Sequence, residues 1–180
     1  MLIRVLLAAA LLCCLPGFAM AASALPPPYA DLVAEAEAID AMDAIMPVRI
    51  FNLASRFAEA PDKELTAKLV DTRLTCLPGK WGFGRRVGYT TLRFMKEPSY
   101  ASIDLPAVIM RGLDDPAEWV RYDAIWLGDV TQLDTPAFRA KLAELAKGLD
   151  PAAYDKVPTS DAKQQRQRRA GKLLQKLNAQ

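Results

Sequence analysis

The sequence contains no histidine. That absence excludes Ser-His-Asp and Cys-His catalysis, His-Glu zinc sites and histidine general bases. Cysteine is nearly as scarce, with three residues at positions 13, 14 and 76. Thiolate zinc sites are thereby excluded as well. No loop gathers the carboxylates and glycine that an oxygen-only Ca²⁺ or Mg²⁺ site needs. The sequence therefore implies no metal and no cofactor. Nor does any segment alternate apolar and polar residues between turn signals as a half-buried strand does. The one long apolar run, Val5 to Leu15, is too short to cross a bilayer.

That run is what a secretory leader needs. Arg4 precedes it, Pro16-Gly17 breaks it, and Ala19-Met20-Ala21 supplies the small-x-small pattern read by a signal peptidase. The expectation is a signal peptide over residues 1–21, export to the periplasm, and no membrane span in the mature chain. Leu11-Leu12 ahead of Cys13 and Cys14 argue against a lipoprotein. Cleavage leaves roughly 160 residues, a single-domain size with enough volume for a real core. It also leaves Cys76 as the last cysteine, so stability must come from packing and not from an internal disulfide. Cys76, beside Leu74 and Leu77, reads as a small core residue.

What the sequence has in abundance is helix signal. Leu25-Pro-Pro-Pro28 makes a stiff lead-in over residues 22–28. Apolar residues then recur at helical spacing. The first predicted helix spans about 29–45 and the second follows Pro47. A third runs from Asp62 through Leu77, and a fourth spans about 85–96. A fifth spans about 104–113. Asp115-Pro116-Ala117-Glu118 reads as a cap, a first-turn proline and a capping-box partner for a sixth helix. Thr135-Pro136 repeats the cap-then-proline logic for a seventh. A basic segment, residues 159–180, reads as a terminal helix.

The even-numbered helices repeat one another. Val48, Val87 and Val120 align, as do Ile50, Tyr89 and Tyr122, then Leu53, Leu92 and Ile125. Periods of this size, each holding two helices, are the sequence signature of a helical solenoid. Leu113-Asp-Asp-Pro-Ala-Glu-Trp-Val-Arg-Tyr-Asp-Ala-Ile-Trp-Leu-Gly128 resembles a HEAT repeat, through Asp115, Pro116, Val120, Arg121, Ala124, Leu127 and Gly128. Asp43 and Arg49 keep the same offset in the first repeat. In the middle repeat Gly82 and Gly88 stand where Asp and Arg would be. The resemblance covers residues 29 to 149. It implies an all-α, short α-solenoid of about four helical hairpins over residues 29–158, with an Asp–Arg ladder (Asp43, Arg49, Asp115, Arg121) linking stacked repeats.

Three surface features carry the functional expectation. The segment PGKWGFGRRVGY, residues 78–89, crowds glycines, arginines and aromatics into one turn. It follows a helix and has the wrong spacing for a phosphate loop. It is either a lengthened turn or a partner-binding loop anchored by Trp81, Phe83, Arg85 and Arg86. Trp119, Tyr122 and Trp126 share one helix face at i, i+3 and i+7, either as core or as secondary partner anchors. The basic stretch Lys163, Arg166, Arg168, Arg169 and Lys172 reads as a capping helix or as an attractor for an anionic partner. The expected function is non-catalytic protein binding in the periplasm, as an envelope-complex accessory or an immunity-type inhibitor. The alternatives are a small-ligand or lyase-type enzyme on the same scaffold, and a structural protein docked on an anionic membrane surface. Nucleic acid is excluded as a partner by export.

Overall fold

In the computed structural model the described residues are 25–180, so the leader, Cys13 and Cys14 lie outside them. Those residues form α1 (Tyr29–Asp40), α2 (Pro47–Glu59), α3 (Lys63–Thr72), α4 (Phe83–Met95), α5 (Leu105–Leu113), α6 (Glu118–Val130), α7 (Pro136–Ala146) and α8 (Ala162–Asn178). Short 3₁₀ turns occupy Leu74–Cys76 and Pro151–Lys156. No strand occurs among the described residues, only an isolated bridge between Tyr100 and Ile103.

Helix starts follow local chemistry. The Asp62, Asp104, Thr135 and Asp161 side chains each accept a hydrogen bond from an amide three residues on, at 2.9, 3.1, 3.1 and 2.9 Å. Each thereby satisfies a donor that the first turn leaves orphaned. Pro47 and Pro136 open α2 and α7, where a missing amide hydrogen costs nothing.

Four boundaries differ from the sequence expectation. Helix α1 stops at Asp40, not near residue 45, and the chain reaches Met46 in extended form ahead of Pro47. The third helix does not run on to Leu77. It leaves α geometry at Arg73, and the chain tightens into a 3₁₀ turn that buries Leu74. Helix α4 begins at Phe83, two residues early, because Gly82 takes the left-handed conformation (φ 67°) and starts the helix itself. Asp115 does not cap α6. Its carboxylate accepts from the Ala117 amide at 2.8 Å and from Arg85, and the helix starts at Glu118 with Ala117 at the cap position.

Helices α2, α4, α6 and α8 pack one on the next, in that order. Each odd-numbered helix lies against the even-numbered helix that follows it. The core fills the space between, with Ile50, Phe57, Tyr89, Leu92, Ile125 and Phe138 fully buried. Helix α4 is the hub, buried at nearly every position from Gly84 to Met95 and touching α1, α2, α3 and α6. Two glycines permit this. A Cβ on Gly82 would stand 2.6 Å from a Val120 methyl, in a conformation that side chains avoid. A Cβ on Gly84 would stand 2.4 Å from Leu77 and 2.8 Å from Asp40. Glycine at these positions is therefore what lets the middle helix sit against its neighbours.

Helix α8 docks on α6 and α7. Arg166 is buried, and its Nε donates to Glu118 Oε2 at 2.9 Å while Nη1 donates to the Leu145 carbonyl. Arg121 also reaches Glu118, at 2.7 Å. Partial burial works against the Glu118 carboxylate, but the hydrogen bonds from Arg166 and Arg121 outweigh it and hold the pKa below the ordinary 4.5. A depressed carboxyl pKa stabilises the fold above the unfolded value and loses that contribution as pH falls through the folded value. Glu118→Gln should therefore cost about 1 kcal/mol at pH 7, a modest figure because the pair is partly screened by solvent. Denaturant titrations of both proteins from pH 7 to pH 3 check it. The gap should narrow once pH drops below about 4.5, and a gap that stays constant to pH 3 would show that the ion pair is not its source.

Candidate functional site

The site is assembled between α4 and α6, with contributions from α2 and α8. Arg86 and Arg93 stand seven residues apart on α4, and so share a face. Trp119, Tyr122, Asp123 and Trp126 do the same on α6. Where these faces meet, Arg86 Nε donates to Asp123 Oδ2 at 2.8 Å, and Arg93 Nη1 lies 4.0 Å from Oδ1. All three side chains are buried, with Asp123 only 1% exposed. Burial pushes the Asp123 carboxyl pKa up, and the charges of Arg86, Arg93 and Arg169 oppose that. Burial likewise lowers the pKa of Arg93, with Asp123 opposing.

Aromatic rings hold the rest of the positive charge. Arg93 stacks on Trp126 at 3.9 Å, with Phe94 and Phe51 at 5.1 and 5.8 Å. Arg169 from α8 also stacks on Trp126, at 4.0 Å, and on Tyr122 at 5.0 Å. Arg86 lies 5.3 Å from the Trp119 ring. Tyr122 meets Trp119 and Trp126 edge-on, at 5.5 and 6.0 Å. A row of alternating rings and guanidiniums thus runs from Phe51 on α2, through Arg93 and Trp126, to Arg169 on α8. Contacts of this kind contribute about 0.5–1 kcal/mol at exposed sites and about 2 kcal/mol where both groups are desolvated. Arg93 Nη1 is buried with no hydrogen-bond partner, so ring faces and the nearby Asp123 carboxylate carry what hydrogen bonds do not.

Against this row lies a cavity of about 490 Å³, lined by Ile45, Pro47, Phe51, Phe83, Arg86, Trp119, Tyr122, Asp123, Trp126, Thr159 and Ser160. Five of its eleven lining residues are aromatic, and its two charged groups, Arg86 and Asp123, form an ion pair. It is shaped to receive an apolar or planar group. No cluster of three or more metal-binding side chains occurs among the described residues.

Several predicted site residues lie elsewhere or do other work. Trp81 is 46% exposed at the loop tip, with Lys80 Nζ 4.8 Å from its ring. Phe83 is half-buried and lines the cavity. Arg85 and Arg86 are not solvent-presented anchors. Arg85 is 6% exposed, donates to both Asp115 oxygens at 2.7 and 3.1 Å, and also donates to the Leu77 and Gly79 carbonyls. It clamps the glycine-rich turn, while Arg86 is held inside by Asp123. Trp119 and Trp126 are half-buried and face one cavity. Arg49 reaches Met42 Sδ at 3.7 Å and not Asp43, which is exposed. Arg121 donates to the Asp115 backbone carbonyl at 2.7 Å, because the Asp115 carboxylate belongs to Arg85. The side-chain link from the glycine-rich turn to the start of α6 is therefore Arg85–Asp115 and not Asp115–Arg121. In the tail, Arg166 is buried, Arg168 and Arg169 are half-buried, Lys163 is exposed, and Lys172 is exposed beside Asp155 at 3.1 Å.

Four contributors escape sequence reasoning: Phe51, Arg93, Asp123 and Asp40. Asp40 is buried and accepts from the Gly79 amide at 2.6 Å and the Gly84 amide at 3.0 Å, pinning both ends of the glycine-rich turn. The seven-residue spacing of Arg86 and Arg93, set beside Trp119-x₃-Asp123-x₂-Trp126, is the signal that points to the site. No protein family, characterised protein or solved structure matches the chain.

Removing one partner of a buried ion pair leaves the other charge uncompensated and costs about 3–5 kcal/mol. Asp123→Ala should lose stability in that range. Asp123→Leu combined with Arg86→Met should recover only part of it, because apolar volume replaces one pair while Arg93 is left buried without its carboxylate. Chemical denaturation of the single and double variants checks this, and a cost under about 1 kcal/mol for Asp123→Ala would mean that water reaches the pair.

Proposed function

We propose that the chain is an exported, non-catalytic protein-binding module of the periplasm, built as a short stack of helical hairpins. Its partner seats a side chain in the aromatic cavity between α2, α4 and α6. The packing order of the even-numbered helices supports the stacked reading, since each repeat completes its core on the next. The leader-like residues 1–21 support the compartment. Among the described residues no helix is long and apolar enough to cross a membrane.

The observation that carries the binding reading is the cavity itself. Its aromatic walls are only half-buried, although their rings are fixed by guanidinium stacking and edge-on contacts. Rigid, partly exposed aromatics around a pocket are the composition of a binding hot spot. The glycine-rich turn is a secondary element of the interface, contributing Trp81 and the Phe83 wall.

Site-specific photocrosslinking in cells tests this reading. A photoreactive residue at Phe94 or Thr159, on or beside the aromatic face, should give one discrete crosslinked protein product. The same residue at Lys68 or Ala140, exposed on α3 and α7, should give none. Equal products from all four positions, or none from any, would rule the face out.

A further inference from the structure

The aromatic cavity does not end at Tyr122. That ring also forms the edge of a second hollow, about 280 Å³, between α6 and α8. The second hollow has a different character. Arg168, Arg169, Lys172 and Lys176 line it, against Asp129 within the hollow and Asp155, which meets Lys172 at 3.1 Å, at its edge. Asp129 binds Lys176 at 2.7 Å and lies 4.0 Å from Arg169. The charge excess is local, because the whole chain carries a formal charge of only +2. An apolar seat and a cationic groove are thus joined through a single tyrosine.

We infer that the partner segment is acidic: an apolar anchor side chain enters the aromatic cavity, and carboxylates close to it in sequence lie along the cationic groove of α8. This rests on the binding-module reading and specifies its partner. Charge complementarity is the argument. An anionic segment would be steered to this end of the molecule and held in register by it. A membrane surface fits less well. Ala170, Leu173 and Leu177 of α8 are buried against the bundle, which leaves that helix no apolar face to insert. A second copy of the chain also fits less well. Its acidic helix α1 already commits Glu35 to Arg56 and Glu37 to Arg73.

The test uses the mature chain and a fluorescein-labelled twelve-residue peptide of aspartate and glutamate around one phenylalanine. Arg168→Glu with Lys172→Glu reverses charge at two side chains outside the apolar core, giving up only the solvent-exposed Lys172–Asp155 pair and a long Arg168–Gln165 bond. Binding should weaken at least tenfold on that reversal, and comparably when the peptide phenylalanine becomes glycine. It should fall further as salt rises. The same reversal should abolish the photocrosslinked product from Thr159, with the melting temperature unchanged. If the crosslink survives the reversal, the acidic partner is wrong and the binding module stands. If no crosslink forms even in the unmodified protein, the module reading itself has failed. Sedimentation with phosphatidylglycerol vesicles that exceeds peptide binding, or self-association lost on the reversal, would overturn the inference in favour of a lipid surface or a second copy.

Discussion

One buried carboxylate, Asp123, decides how the centre of this molecule is arranged. It sits on α6 with Arg86 and Arg93 of α4 on either side, and none of the three side chains is appreciably exposed. Two cations cannot be balanced by one anion in a medium that screens poorly. The excess must go somewhere, and the fold sends it to ring faces. Arg93 lies over Trp126 and beside Phe51 and Phe94, and Arg86 lies beside Trp119. The positions of four aromatic rings on three helices follow from that requirement. So does the packing of α4 against α6, because the pair forms only when the helices are in one register.

The same logic orders the rest of the bundle. Arg85–Asp115 ties the glycine-rich turn to the start of α6, and Arg166–Glu118 ties α8 to the first turn of that helix. Asp40 closes the turn from the α1 side. In each case a charged group joins elements far apart in sequence, while the odd-numbered helices supply apolar cover. A bidentate guanidinium imposes direction as well as attraction. These links therefore fix orientation, and the apolar contacts supply most of the burial.

Much of the architecture was legible from periodicity and caps. Apolar residues at helical spacing, with Asp62, Thr135 and the prolines at positions 47 and 136, were enough for an all-helical chain with most of its breaks. The repeat of Val48, Val87 and Val120 marked the even-numbered helices, which do pack in succession. Pairing of charges was not legible. The HEAT resemblance implied a ladder through Asp115 and Arg121. The structure joins Asp115 to Arg85, thirty residues away, because Arg85 is the donor that the glycine-rich turn leaves inside. Asp123 was invisible for a related reason. An acidic residue between apolar ones on a helix reads as surface unless its partners on another helix are known. Arg86 was read as a partner-binding anchor of the glycine-rich turn, and its inward course to Asp123 was equally hidden.

The glycine-rich turn shows how composition misleads about role. Flexible glycines beside Trp, Phe and Arg suggest a mobile recognition loop. Here Gly82 and Gly84 answer steric demands: one takes a left-handed backbone beside Val120, and the other admits Leu77 and Asp40 to the helix surface. Arg85 points inward and clamps the turn through the Leu77 and Gly79 carbonyls, while Arg86 turns away to Asp123. What the turn offers outward is Trp81 and one edge of Phe83. The face we propose for recognition lies instead on the regular helices, where guanidiniums and neighbouring rings hold the half-exposed rings in place. A ring fixed by cation–π contacts loses little further entropy when a partner covers it, so more of the contact free energy appears as affinity. Rigidity gained for electrostatic reasons inside the bundle thus prepares the surface outside it.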